Sequence, residues 1–246
     1  LVVSADSIFV ADGKKIEVYG KLKVTAGTIF TKTYGGTYWS GIDVKNGGTL
    51  EATSDFTIQY ADCGIDLYSG ATIKNGNYTV KVLSCRQAGV WANNTNTPIR
   101  NIFCYDTSTS SFQNGAITVT GADAAPRISR CKVYSSYYGI KIGSTFDNPM
   151  ASVDSSIVRL PTTDGVVVNS SCRVDLNGYN NIYPQGSYKA LNNPSSGSID
   201  GNNNYWGSSS PVWANIITFP DLVTKSTYAS TPYDSTNIAG TYKRLL

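Results

Sequence analysis

One position of a recurring four-residue phrase carries most of the residues in this chain that could do chemistry. The phrase is a glycine, an apolar residue, a free position and a second apolar residue. The free position holds Asp43, Asp66 and Trp91 in successive copies. After a coil of ambiguous alignment it holds Lys141, then Val167 and Lys189. Two carboxylates stacked on neighbouring repeats either bind a cation or face water. A tryptophan turned outward beside them is an exposed apolar plate of the kind that binds sugars or partners, and Tyr137 and Tyr138 extend that face. A lysine near carboxylates is suited to removing a proton next to a sugar carboxylate, with calcium or another cation offsetting the enolate charge. The candidate ligand- or partner-binding residues are therefore Asp43, Asp66, Trp91, Tyr137, Tyr138 and Lys141. No catalytic residue and no metal ligand is assigned, and calcium is the only cofactor these carboxylates leave open.

The elements that must position them follow from repetition. Gly41-Ile42-Asp43-Val44, Gly64-Ile65-Asp66-Leu67 and Gly89-Val90-Trp91-Ala92 are the clear copies, and Gly115-Ala116-Ile117, Gly139-Ile140-Lys141-Ile142 and Gly165-Val166-Val167-Val168 are looser ones. Successive glycines stand 23, 25, 26, 24 and 26 residues apart, a drifting period in the twenties that marks a solenoid. A second phrase runs in step, with an apolar anchor after a turn: Leu50, Ile73, Ile99, Ile128, Val153, Val174 and Ile199. A third alternation fills the remainder, as in Phe56-Thr57-Ile58-Gln59-Tyr60, Tyr78-Thr79-Val80-Lys81-Val82 and Cys131-Lys132-Val133-Tyr134. Alternation over four or five residues means strand. Three strands per repeat predict an all-β, single-stranded right-handed parallel β-helix of about 8–9 coils. A β-sandwich would show similar local turn signals but has no reason to repeat one phrase at one period. The glycine is expected at a corner, where a residue without Cβ takes a positive φ or a tight bend. Asparagine runs at other corners suit left-handed turns and amide bonds between coils.

The chain has 246 residues, 41% of them apolar, 15% charged, with a net charge of +3. Patterned apolar residues argue against disorder. The small net charge and scattered Lys and Arg argue against nucleic acid, and no apolar run approaches the ~20 residues that cross a bilayer. Leu1–Asp6 has no charged region or long apolar core, so a signal peptide is not expected there. The Thr-, Tyr- and Asn-rich composition with few lysines suits an extracellular or cell-surface setting. The five cysteines, Cys63, Cys85, Cys104, Cys131 and Cys172, fit two readings. Neighbouring coils at ~4.8 Å bring thiols within disulfide reach, and stacked free thiols pack as small apolar groups. Without histidine or a Cys-x-x-Cys pair, structural zinc or copper is not expected.

Domain organisation reads as 1–36, N-terminal coils with a covered end; 37–207, the repeats; and 208–246, a C-terminal cap or side-packed tail, all in one structural domain. The phrase Asn202-Asn203-Asn204-Tyr205-Trp206-Gly207 after Ser198-Ile199-Asp200-Gly201 resembles the end of right-handed parallel β-helix domains. Trp39-Ser40-Gly41-Ile42, Gly48-Thr49-Leu50 and Ile58-Gln59-Tyr60-Ala61 resemble the same group. The group is the pectate-lyase-like superfamily, particularly NosD-like repeat proteins and secreted bacterial surface proteins, and the similarity spans about 37–211. It implies architecture more than activity, since that superfamily holds enzymes and adhesins alike. Trp39 and Trp206 read structurally, as large aromatics closing a coil end. Thr163-Asp164-Gly165-Val166 faintly resembles a motif of hydrolases in the group, without their paired aspartates or histidine.

The expected function is a non-catalytic extracellular module: a surface scaffold, adhesin or filament subunit, with carbohydrate binding as a further role. Its partners would be a polysaccharide or other cell-surface or matrix component, or further copies stacked end to end, with no nucleic acid and no membrane insertion. The alternative is a polysaccharide lyase or related enzyme acting on acidic polysaccharide. Only 104–115 and 143–150 are long enough to wall a groove.

Overall fold

A computed structural model of the chain describes residues 1–107, 114–134, 136–144, 147–159, 161–169, 171–176, 178–193, 199–218 and 220–233. The Gly197-Ser198 part of the last second-phrase copy lies outside them, as do 108–113 of the loop 104–115, part of 143–150 and the tail from 234 on.

The expected winding is present: an all-β, right-handed parallel β-helix of about eight turns, with almost no helix. Each coil contributes one strand to each of three faces, and every strand pairing is parallel. Sheet I holds the glycine phrase, in strands 15–18, 41–44, 63–67, 88–93, 115–120, 138–142, 166–168 and 191–192. Sheet III holds 7–10, 29–32, 56–59, 80–83, 102–105, 132–134, 157–159 and 181–182. Sheet II, between them in chain order, is split. A four-stranded part ends at Thr72–Lys74, and a six-stranded part begins at Ile99–Arg100.

Register explains why so plain a sequence holds together. Ile16, Ile42, Ile65, Val90, Ile117, Ile140, Val166 and Leu191 form one interior file in sheet I, each opposite the next. From Ile42 to Leu191 every member is fully buried, and each such side chain contributes roughly 1.5–3 kcal/mol. In sheet III the matching file runs Phe30, Ile58, Val82, Cys104, Val133, Val158 and Ile182.

The phrase glycines are needed chiefly for space. A Cβ on Gly139 would stand 2.2 Å from Val158 Cγ1 and 2.4 Å from the Gly165 carbonyl oxygen of the next coil. Among the phrase glycines, φ in the left-handed range occurs at Gly41, at +105°. The looser copy at 115–117 is out of step: Gly115 pairs with Tyr138 and Ile117 with Ile140, so Ala116 takes the glycine place. In sheet II, Val153 and Val174 do not face each other. Val174 lies opposite Ala151, a slip of two residues that keeps both inward because the side-chain period is two.

Corners at both edges of sheet III use single left-handed residues. Asn101, Arg130, Ser155, Tyr179 and Asn203 turn the chain from sheet II, and Tyr60, Ser84 and Asp106 turn it onward. Asparagines do bond between coils where expected. The Asn180 amide donates to Val153 O at 2.7 Å and Leu176 O at 3.1 Å, its Oδ1 accepts from Ser156 N at 3.0 Å, and Asn204 Oδ1 accepts from Asn180 N at 2.9 Å.

The two ends of the winding differ. The N-terminal face is not covered among the described residues: strands 2–3, 7–10 and 15–18 stand at the ends of their sheets, with Leu1, Val2 and Phe9 exposed. Beyond Gly207 the winding continues. Ile217 bridges Leu191, Val223–Thr224 pairs with Ile199–Asp200, and Tyr228 lies beside Asn204, completing an irregular further turn. The chain then runs along sheet III, where Tyr233 N donates to Asn181 Oδ1 at 2.9 Å. Trp206 is buried beneath this last turn, with Trp213 at 6.3 Å. Trp39 is equally buried but lies beside Ala61 with coils on both sides, so it closes a corner and not an end.

Candidate functional site

The outward file of sheet I reads Glu17, Asp43, Asp66, Trp91, Thr118, Lys141, Val167 and Asn192. Asp43, Asp66 and Trp91 are adjacent, as the repeat requires. Lys141 stands two strands beyond Trp91, with Thr118 between. Asn192, not Lys189, fills the place after Val167: it stands 25 residues on, within the period, whereas Lys189 at 22 falls short of it.

Asp43 is not an open carboxylate. It is buried, and Lys15 Nζ and Lys45 Nζ meet its Oδ2 at 2.9 Å and 2.7 Å. The Lys15 ammonium is held well above its usual range, first by its bond to Asp43 and then by its bond to Glu17. Burial alone lowers the Lys45 ammonium, but bonds to Asp43 and Tyr68 outweigh it and leave the pKa raised. Lys45 also lies 3.8 Å from the centroid of the Tyr68 ring. Asp66 differs: burial pushes its carboxyl up to about 6, partly offset by a bond with Tyr68 and reinforced by the Asp43 charge. Its Oδ1 is buried with no hydrogen-bond partner among the described residues. The pair is thus one neutralised carboxylate beside one that resists ionising. Among the described residues no group of three or more His, Cys, Asp or Glu side chains could hold a metal ion.

Much of this face is covered. Thr118 and Val167 are buried, and Trp91 is half-buried, its indole N–H donating to Thr120 Oγ1 at 2.8 Å. The expected exposed tryptophan plate is therefore a partly packed side chain. Tyr137 and Tyr138 meet edge to face at 4.8 Å, and Lys141 Nζ lies 5.9 Å from the Tyr138 ring. Burial lowers the Lys141 pKa. Asp164, of the hydrolase-like phrase, accepts from Lys189 N at 2.7 Å and Asn192 Nδ2 at 2.8 Å. Those bonds tie adjacent coils.

The open aromatic surface lies on sheet III, where sequence reasoning did not look. One outward file there runs Leu83, Tyr105, Tyr134 and Arg159, and a parallel one Lys81, Phe103, Lys132, Ile157 and Asn181. Phe103 and Tyr105 are stacked at 6.5 Å and 7°, and Phe103 reaches Tyr134 at 5.8 Å. The Arg159 guanidinium lies 5.4 Å from the Tyr183 ring, which meets Tyr205 at 5.5 Å. A cavity of about 90 Å³ opens between Tyr134, Arg159, Asn181, Tyr183 and Tyr233. The signal was present in the alternation Ile102-Phe103-Cys104-Tyr105 and Cys131-Lys132-Val133-Tyr134, whose second and fourth residues share one face.

No protein-family model, no curated protein and no solved structure matches this chain.

The five cysteines are buried and form no disulfide among the described residues. Burial pushes the Cys85 and Cys131 thiols up to about 12 and the Cys63 and Cys104 thiols upward as well. They pack as apolar groups and are not nucleophiles.

Proposed function

We propose that this chain is a non-catalytic, extracellular β-helix scaffold that attaches to carbohydrate at a cell surface or matrix, akin to the surface-protein branch of the pectate-lyase-like superfamily. The observation that carries the reading is the state of the sheet I ladder. Asp43 is engaged by Lys15 and Lys45, and Lys141 stands three strands from Asp66, roughly 14 Å at ~4.8 Å per strand. A proton-abstracting base must reach its proton through one hydrogen bond or one water. Charges on this ladder link coil to coil, which suits a rigid stalk. Sparse charge and Thr-, Asn- and Tyr-rich coils support the extracellular setting, and buried thiols are compatible with it because they are shielded from oxidants.

One observation favours a second reading. Lys141 is half-buried with a lowered pKa, a property of catalytic lysines, and it keeps a lyase acting on acidic polysaccharide as the rival. Incubation with a panel of acidic polysaccharides, followed by absorbance of unsaturated products, separates the two. The scaffold reading expects binding without product. Turnover that Lys141→Ala abolishes would establish the lyase instead.

A further inference from the structure

We propose that the aromatic strip of sheet III, centred on Arg159, is a binding site for an anionic polysaccharide. The inference rests on the scaffold reading and gives it a site and a ligand class.

Three features converge. The strip is continuous: Phe103, Tyr105, Tyr134, Arg159, Tyr183 and Tyr205 touch or neighbour one another across five successive strand positions. At ~4.8 Å per strand that is roughly 19 Å, the reach of a short run of sugar rings. It is also open, since Tyr105 is 46% exposed and Arg159 is exposed. Flat rings on a regular sheet offer apolar plates to the C–H faces of sugars, while their hydroxyls remain available to polar groups.

The charge has one sign. Lys81, Lys132 and Arg159 lie on outward positions of strands 80–83, 132–134 and 157–159, and no outward position of sheet III from Val80 to Ile182 carries a carboxylate. Arg159 makes no ion pair among the described residues and lies over Tyr183. Arg127, by contrast, is paired with Asp154 at 2.6 Å. An arginine framed by tyrosines, with its fork of donors uncommitted to a carboxylate, matches the residues that dominate binding surfaces. The adjacent cavity of about 90 Å³ has room for about three waters at ~30 Å³ each. That is too small for a sugar ring and suited to a carboxylate or sulfate substituent.

An extended peptide is disfavoured because strands 102–105, 132–134 and 157–159 are paired on both sides, so none offers an edge for strand addition. A polynucleotide is disfavoured by the modest net charge of +3.

The test uses the full chain against polygalacturonate, heparin and neutral dextran, with single-stranded oligonucleotide as a fourth arm, by affinity electrophoresis and biolayer interferometry. Polygalacturonate and heparin distinguish carboxylate from sulfate as the recognised group. The expected result is binding to at least one anionic glycan, weakened by salt, with dextran and oligonucleotide bound far more weakly. Tyr105→Ala and Arg159→Ala should each raise Kd about tenfold or more, and Lys74→Ala, at an exposed position of sheet II, should leave it unchanged. Both strip residues face outward, so thermal melts should match the parent chain. Binding unaffected by both strip variants, equal binding of dextran, tighter binding of oligonucleotide, or no binding to either anionic glycan overturns the proposal. Product formation would sink the scaffold reading while leaving the strip in place, provided the two variants still weaken binding.

Discussion

Asp66 stands directly opposite Asp43 on adjacent coils, yet Asp43 is met by two lysines while Asp66 keeps a buried oxygen unpaired. The repeat stacks like on like and cannot avoid this contact. The charges that relieve it come from one side only.

The asymmetry should be visible in pH dependence. Folded Asp66 holds its proton up to about pH 6, whereas an unfolded aspartate releases it near pH ~3.9. Between those values the folded chain binds more protons, so stability falls as pH rises through that window and stays lower above it. Asp66→Asn should remove the decline, raising stability at pH 8 by about 1–2 kcal/mol, allowing for residual screening by water, with little change at pH 4. Denaturant melts at both pH values measure this. A decline of the same size in the variant would show that another group causes it.

The glycine column offers a steric test. Gly139→Ala places a methyl 2.2 Å from Val158 Cγ1 and 2.4 Å from a backbone oxygen, and backbone cannot move aside cheaply. The expected loss is about 2–4 kcal/mol. Gly20→Ala, where a Cβ meets nothing within 4 Å, should stay within about 0.5 kcal/mol of the parent. Equal effects in urea melts would remove the close-packing account of the repeat.

Asn180 ties three coils together. Replacing it with alanine strips the side-chain partner from Ser156 N and from Val153 O in a buried site, while Leu176 O keeps the Asn204 amide at 2.7 Å. Each orphaned group costs about 1–3 kcal/mol, so Asn180→Ala should lose about 3 kcal/mol or more. Amide exchange should quicken first around Ser156 and the neighbouring coils. Uniform acceleration across the chain would instead mean that the coils unfold as one unit.

The five thiols should be silent in the native state and reactive together after unfolding. A thiol-specific dye should titrate almost none before guanidinium and all five afterwards, given their burial. Prompt labelling of one cysteine in the native chain would contradict its placement. A shift on a non-reducing gel would contradict the free thiols.

The relocation of the candidate site shows where reading from the chain alone stops. Asp43, Asp66 and Trp91 were correctly stacked from their place in the phrase, because an intact Gly-apolar-x-apolar phrase marks the same inward positions in each coil. Ala116 was hidden because a longer loop puts it 27 residues after Gly89, and Lys189 was misplaced because at 22 residues after Val167 it falls short of the period. A loop's length shifts register by whole residues without changing the local alternation that identifies a strand.

The amino-acid sequence by itself determined the winding, the strand count per coil and the interior file through Ile42, Ile65, Val90 and Ile140, since period-two alternation repeated at a near-constant interval has one economical way to bury its apolar side. Only the tertiary structure decided which outer face is open. Solvent access at Thr118 or Tyr105 depends on what packs over it from elsewhere in the winding, and local alternation carries no information about that. The same holds for Arg159 and Tyr183, 24 residues apart, which become neighbours only when one coil comes to rest on the next.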